Sequence, residues 1–178
     1  LVLRHVRNCG QSAAVATGFR YAHGDVVVTL DGDGQNDPAD IPRLLEQLRG
    51  CDAVCGLRRK RQDNLVRRVS SRVANGFRNL ITGDRIVDAG CGVRAIRRAV
   101  LREIVVFNGM HRFLPTLLRL QGFSIREVEV SHRPRTSGQS KYGVWNRLGR
   151  GIVDCFAIRW YRKRAVPGTR IADAQAIL

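Results

Sequence analysis

Asp31 and Asp33 are separated by one glycine and directly follow a short run of apolar, β-branched residues, Asp25 to Leu30. If that run is a strand, both carboxylates sit at its C-terminal end. Such oxygen ligands suit Mg²⁺ or Mn²⁺, which keeps part of its coordination sphere for water or phosphate. Asp37 lies in the same loop, DGDGQNDP, although the chain has 31 Lys+Arg against only 15 Asp+Glu. Acids gathered in so basic a chain favour metal binding over a solvated acidic turn, the bland alternative. Arg67 and Ser71 are four apart, so on a helix they share a face. A guanidinium and a hydroxyl on one face make a phosphate clamp, although by themselves Arg67 and Arg68 read as an ordinary solvated basic face. Lys141, in a Gly/Ser-rich stretch, is equally readable as a surface lysine. His5, His23, His111 and His132 are too scattered for metal-site spacing, and a structural role is the default for each. The five cysteines contain no CxxC pair, so buried free thiols are expected rather than a zinc site.

The elements that must position these groups alternate. Helices are expected over 10–23, 38–50, 62–82, 97–105, 111–121 and 141–164. Buried strands are expected at 25–30 and 52–57, a Gly-containing loop and strand over 88–96, and an alternating strand with one wet face over 124–132. Asp37 followed by Pro38 is an N-cap and first-turn pair. Leu1-Val2-Leu3 reads as the tail of a strand already under way. In the helix over 62–82, Leu65, Val69, Val73, Phe77, Leu80 and Ile81 share a face. In the last helix Trp145, Leu148, Ile152, Phe156 and Trp160 do the same. Strand–helix alternation points to an α/β sheet covered on both faces, with ligands at the C-terminal ends of strands. The 178 residues fit one domain with a real core.

The formal charge of +16 calls for anionic partners. With 6% aromatic residues, base-stacking platforms are poorly supplied, which argues against nucleic acid. No apolar run is long enough to span a bilayer.

Six blocks in order resemble glycosyltransferase family 2, and within it the dolichyl- and polyprenyl-phosphate sugar synthases. They are Asn8 to Gly18, HGDVVVTLDGDGQNDP, Cys55 to Arg58, Arg67 to Asn75 (RRVSSRVAN), Asp88 to Arg94 (DAGCGVR) and Arg135 to Tyr142 (RTSGQSKY). The resemblance runs from residue 8 to about 160 and implies a nucleotide-sugar-binding GT-A type fold, Rossmann-like, with a mixed sheet and flanking helices. It implies a catalytic domain over 1–142 lacking its first strand, an amphipathic basic helix over 143–164 and a tail over 165–178. The implied activity is metal-assisted, inverting transfer of a sugar from a nucleotide-diphosphate sugar to a polyprenyl phosphate, at the cytoplasmic face of an anionic membrane. The alternatives are a family-2 transferase with a polysaccharide or soluble acceptor and, from another class, a non-catalytic polyanion-binding domain.

Carried over residue by residue, the resemblance assigns Asp31, Asp33 and Gln35 to the metal and donor diphosphate. It assigns Arg58, Arg67 and Ser71 to the acceptor phosphate, and Arg135, Ser140 and Lys141 to a loop closing over the donor phosphates. Asp88 and Arg94 fall near the donor sugar. Gly32 and Gly34 replace the usual Ala and Leu, Gln11 a common Lys, and Val73 a helix glycine. An acceptor phosphate is already anionic near neutral pH, so the reaction needs cations to hold two anions together more than it needs a strong base.

Overall fold

The computed structural model describes residues 1–58, 65–133 and 144–165. Helix α1 (Gln11–Tyr21) leads to strand β1 (Val26–Thr29), helix α2 (Ile41–Gln47) and strand β2 (Ala53–Leu57). Helix α3 (Leu65–Thr82), strand β3 (Arg94–Arg97), helix α4 (Met110–Leu120), strand β4 (Ile125–Glu129) and helix α5 (Val144–Arg164) follow. The helix expected over 97–105 is a tighter 3-10 segment, Arg98–Glu103, and 3-10 turns flank α2 on both sides. At its start Asp37 accepts a hydrogen bond from Ala39 N–H at 3.1 Å, as the Asp-Pro pair predicts.

The described strands form one mixed sheet in the order β1-β3-β2-β4. Strand β3 is antiparallel to both β1 and β2, and β4 is parallel to β2. Strands β1, β2 and β4 therefore run the same way, and their C-terminal ends lie on one side. Neighbouring residues face opposite layers, as a strand's period of two requires. Ala53 and Ile96 join a core with α4 and α5, while Val54 and Ala95 join a second core with Leu44 of α2 and Leu48 of the 3-10 turn after it. Two departures from the sequence reading concern the edges. The run at 25–30 was expected to be buried on both faces, but all four residues of β1 are only half-buried because the strand is at the sheet's edge. No strand forms over residues 1–10, where Leu1 and Val2 are each 94% exposed. Strand β4 lacks the expected fully wet face, because Ile125 packs against one core while Val128 and the following Val130 pack against the other.

Helix α3 is anchored by a polar node. The Asp84 carboxylate accepts hydrogen bonds from Thr116 Oγ1, Arg119 Nη1 at 2.6 Å and Arg78 Nη2 at 3.2 Å. The Arg78 and Asp84 side chains are 8% and 3% exposed, and Arg78 lies over the Phe113 ring. Burial opposes the Asp84 charge, but Thr116, the Arg85 N–H, Arg119 and Arg78 outweigh it and hold the carboxyl below its ordinary value. A depressed pKa adds stability that is present above the unfolded value, about 3.9, and is lost as the pH falls through the folded one. Asp84→Asn should cost about 3 kcal/mol at neutral pH, because it strands buried cations. The gap from the parent should narrow as both are titrated below about pH 4 in urea-unfolding curves. A gap that stays constant with pH would show that Asp84 is not ionised in the fold.

Four cysteines, Cys51, Cys55, Cys91 and Cys155, are buried and free, whereas Cys9 is exposed. Burial pushes the Cys55 thiol up to about 12, so it stays protonated and inert. No helix among the described residues is long and apolar enough to cross a membrane.

Candidate active site

The shared direction of β1, β2 and β4 brings four loops to one end of the sheet. They are the acidic turn after β1, Arg58 after β2, the segment 88–93 leading into β3, and 130–133 after β4. The first turn of α1 also reaches this end, where Gln11 Nε2 donates to Asp31 Oδ1 at 3.2 Å.

Asp31 is half-buried and held from a second side by Gly92. A methyl on Gly92 would lie 2.3 Å from Asp31 Oδ2 and 2.7 Å from Oδ1, so any larger residue here would force this carboxylate or its loop to shift. Thr29 Oγ1 donates to the Gly92 carbonyl at 2.7 Å and sets the distance between the two strands' ends. Asp33 closes a tight local turn by accepting the Gln35 N–H at 3.1 Å, with Gly34 at φ 76° supplying the left-handed residue. The turn is then tied to the segment after β4. Arg133 N–H donates to Gln35 O at 2.9 Å, Gln35 Nε2 lies 3.5 Å from His132 Nε2, and the Arg133 guanidinium pairs with Asp37. Asp40, buried, accepts the Ser131 N–H at 2.7 Å. The acidic turn is thus a braced structure.

Its donor set is chemically suited to a hard divalent cation. Two carboxylates and the Gln35 amide oxygen would give three oxygen ligands, with remaining positions for phosphate oxygens. Among the described residues no group of three or more His, Cys, Asp and Glu is arranged around one point. A cation here would therefore take few protein ligands and share the rest with substrate.

Arg58 and Asp88 are joined to each other. Arg58 Nε donates to Asp88 Oδ2 at 2.7 Å and Nη2 to Oδ1 at 2.8 Å, and the Arg58 N–H also reaches Oδ2 at 3.2 Å. Their side chains are 10% and 8% exposed. Burial pulls the guanidinium down, and the Asp88 contacts and charge more than offset it, leaving it above its ordinary value. Glu127 holds this loop from below, accepting the Val87 and Asp88 N–H groups at 3.0 Å. Arg94 is 5% exposed within β3, and its Nη2 donates to Ala89 O at 3.4 Å, so it supports the 88–92 loop from inside the sheet. Ser71 is half-buried on α3, and the Arg67 backbone is in the same helix. Arg135, Ser140 and Lys141, and the Arg67 side chain, lie outside the described residues.

The structure therefore brings together Asp31, Asp33, Gln35, Arg58 and Asp88 at one end of the sheet. Gln11, Gly92, Glu127 and His132 are the residues that sequence reasoning left without a role. Gln11 stood out as a replacement for a common Lys and His132 as part of a family-like stretch, SHRPR; Gly92 and Glu127 acquire their roles through contacts distant along the chain.

Comparison with known proteins fits this geometry. The profile of glycosyl transferase family 2 matches residues 1–105. The dodecaprenyl-phosphate galacturonate synthase of Rhizobium johnstonii is 37% identical over 168 residues, which is 91% of this chain and 49% of that protein. The undecaprenyl-phosphate 4-deoxy-4-formamido-L-arabinose transferase of Aeromonas hydrophila is 37% identical over 169 residues, 93% of this chain and 52% of its own. The chain thus spans about half the length of the curated relatives it matches. Among solved structures, the glucosyl-3-phosphoglycerate synthase of Mycobacterium tuberculosis bound to Mn²⁺, UDP-glucose and phosphoglyceric acid superposes with a TM-score of 0.60 at 20% identity. That match covers 98% of this chain and 61% of the other. The same enzyme with Mg²⁺ and UDP gives 0.61 at 21%, over 89% and 56%. The shared architecture is the GT-A fold.

Proposed function

Given that the chain belongs to glycosyl transferase family 2, we propose that it is the catalytic part of an enzyme moving a sugar from a nucleotide-diphosphate sugar to a polyprenyl phosphate. The observation that carries this reading is the braced acidic turn at the C-terminal end of β1, where two carboxylates are held by Gln11, Gly92 and the segment after β4. The names of its relatives supply the acceptor class.

Asp31, Asp33 and Gln35 Oε1 would hold Mg²⁺ or Mn²⁺ against the donor diphosphate. Such a cation, when bound, supplies charge neutralisation to the leaving diphosphate. Arg58, fixed in direction by Asp88, works with Arg67 and Ser71 to seat the acceptor phosphate. Arg135, Ser140 and Lys141 close on the donor phosphates, and Arg94 keeps the 88–92 loop in place. An acceptor phosphate oxygen attacks the anomeric carbon as its bond to the diphosphate oxygen breaks, with inversion. The nucleophile is already anionic, so this chain's residues act mainly by positioning and by balancing charge. The work is done peripherally at the cytoplasmic face of the membrane.

The test is transfer of labelled sugar from a panel of nucleotide sugars to polyprenyl phosphate, with and without Mn²⁺ or Mg²⁺. Metal-dependent labelling of the lipid is the expected result. The solved neighbour's phosphoglyceric acid favours one second reading, a small phosphorylated acceptor. Labelling of phosphoglycerate and not of lipid would select it.

A further inference from the structure

The acidic turn leans on the first turn of α1, and that turn is itself fastened from behind. Asn8 Oδ1 accepts the Gly10 N–H at 2.9 Å, and Gly10, at φ 83°, turns the chain into the helix. Gln11 and Ser12 are the helix's first two residues, and their side chains part there. Gln11 is exposed and donates to Asp31 Oδ1 at 3.2 Å. Ser12 is 4% exposed; its Oγ accepts the Gly109 N–H at 2.9 Å and lies 2.8 Å from His111 Nδ1.

Ser12 therefore bridges the starts of two helices, since Gly109 and His111 flank Met110, the first residue of α4. The chemistry of the bridge sets the imidazole. The Gly109 N–H occupies one lone pair of Oγ. The hydroxyl proton has no other acceptor among the described residues, so it goes to His111 Nδ1, and the ring carries its own proton on Nε2. The far side of the bridge is rigid. Gly109 stands at φ 106°, and a methyl on it would lie 2.7 Å from Asp154 Oδ2 and 3.0 Å from Arg112 Nη2. Those two groups form a 2.6 Å ion pair between α4 and α5.

We propose that Gln11 and Ser12 are positioning residues of the metal site. Gln11 aims Asp31, and Ser12 fixes Gln11 by fastening the start of α1 to Gly109 and His111. A carboxylate that ligates a cation is itself oriented by outer hydrogen bonds, and those outer partners carry a measurable share of the affinity. The Gln11 amide supplies direction without a charge of its own, so the charge of Asp31 stays whole for the cation. The inference rests on the metal reading of the acidic turn. It gives His111, a structural histidine by default, a part in holding a carboxylate distant along the chain.

The experiment is Mn²⁺ binding in the presence of inorganic pyrophosphate, followed by water-proton relaxation. The slow tumbling of protein-bound ion separates it from free or pyrophosphate-bound ion. The variants are Gln11→Met, Ser12→Ala, His111→Leu and His111→Asn, the last keeping an acceptor oxygen near the place of Nδ1. Affinity for Mn²⁺ should fall about tenfold in the first three and stay near the parent's in His111→Asn. Ile158→Val, which loosens only the core against α5, should bind Mn²⁺ as the parent does. Long-range ¹H–¹⁵N spectra should show His111 Nδ1 unprotonated in the parent. Parent-like affinity in Gln11→Met or Ser12→Ala would overturn the inference and leave the metal reading standing. So would an equal loss in Ile158→Val, which would make Ser12 scaffolding, or a protonated Nδ1. A parent that binds no Mn²⁺ would overturn both.

Discussion

Replacing Asp33 with alanine should lower metal-dependent transfer by about 1,000-fold, the loss of roughly 4 kcal/mol of charge stabilisation at a leaving diphosphate. The fold should survive. Asp33 sits in a turn where it accepts the Gln35 N–H, and it is no part of either core cluster. Asp31→Ala should behave alike, since the two carboxylates serve one site. Gly92→Ala is the sharper comparison, because it leaves both carboxylates in the chain. Its methyl would fall 2.3 Å from Asp31 Oδ2, so the carboxylate or the 88–92 loop must shift. A displacement of that kind should cost about 100-fold. Measuring kcat/KM against Mn²⁺ concentration would show the displaced variant needing more metal. Equal transfer by Asp33→Ala with and without metal would end the metal reading of the acidic turn.

The second large effect concerns Arg58 and Asp88. Removing either partner leaves a nearly buried charge uncompensated, at a cost of about 3–5 kcal/mol of stability. Asp88→Ala should therefore show a much lower unfolding midpoint, and its transfer should be nearly abolished. A structural pair and a positioning pair differ in what rescues them. Replacing both members by apolar residues, Arg58→Met with Asp88→Leu, should recover much of the stability lost in either single variant. It should not recover transfer, because no guanidinium then faces the acceptor phosphate. Full recovery of both would reduce the pair to scaffolding and remove Arg58 from the phosphate site.

How much of this was legible in the chain depends on the distance over which each feature is decided. Asp31 and Asp33 are placed by local rules. A β-branched run makes a strand, glycines and aspartates make the turn after it, and Asp37 with Pro38 starts the next helical turn. Those rules act within a few residues, so the acidic turn, the alternation of strands and helices and the fold class could be read directly. The burial of Cys55 and the ends of α1 and α4 followed in the same way.

Everything that depended on which strand lies beside which was decided by the tertiary structure. The run over 25–30 has the composition of a central strand, but its place at the edge of the described sheet leaves it half-buried. Arg58 and Asp88 read as two separate phosphate- and sugar-facing groups. The fold instead closes β2 against the loop before β3 and satisfies each with the other. The helices show the same division in its plainest form. Periodicity fixed which residues of α3 and α5 share a face, because that follows from 3.6 residues per turn alone. Which way the face points was settled by Asp84, Thr116, Val87 and Ile86. Those groups offer α3 charged and hydrogen-bonding partners inside the molecule, and so turn its apolar ridge outward.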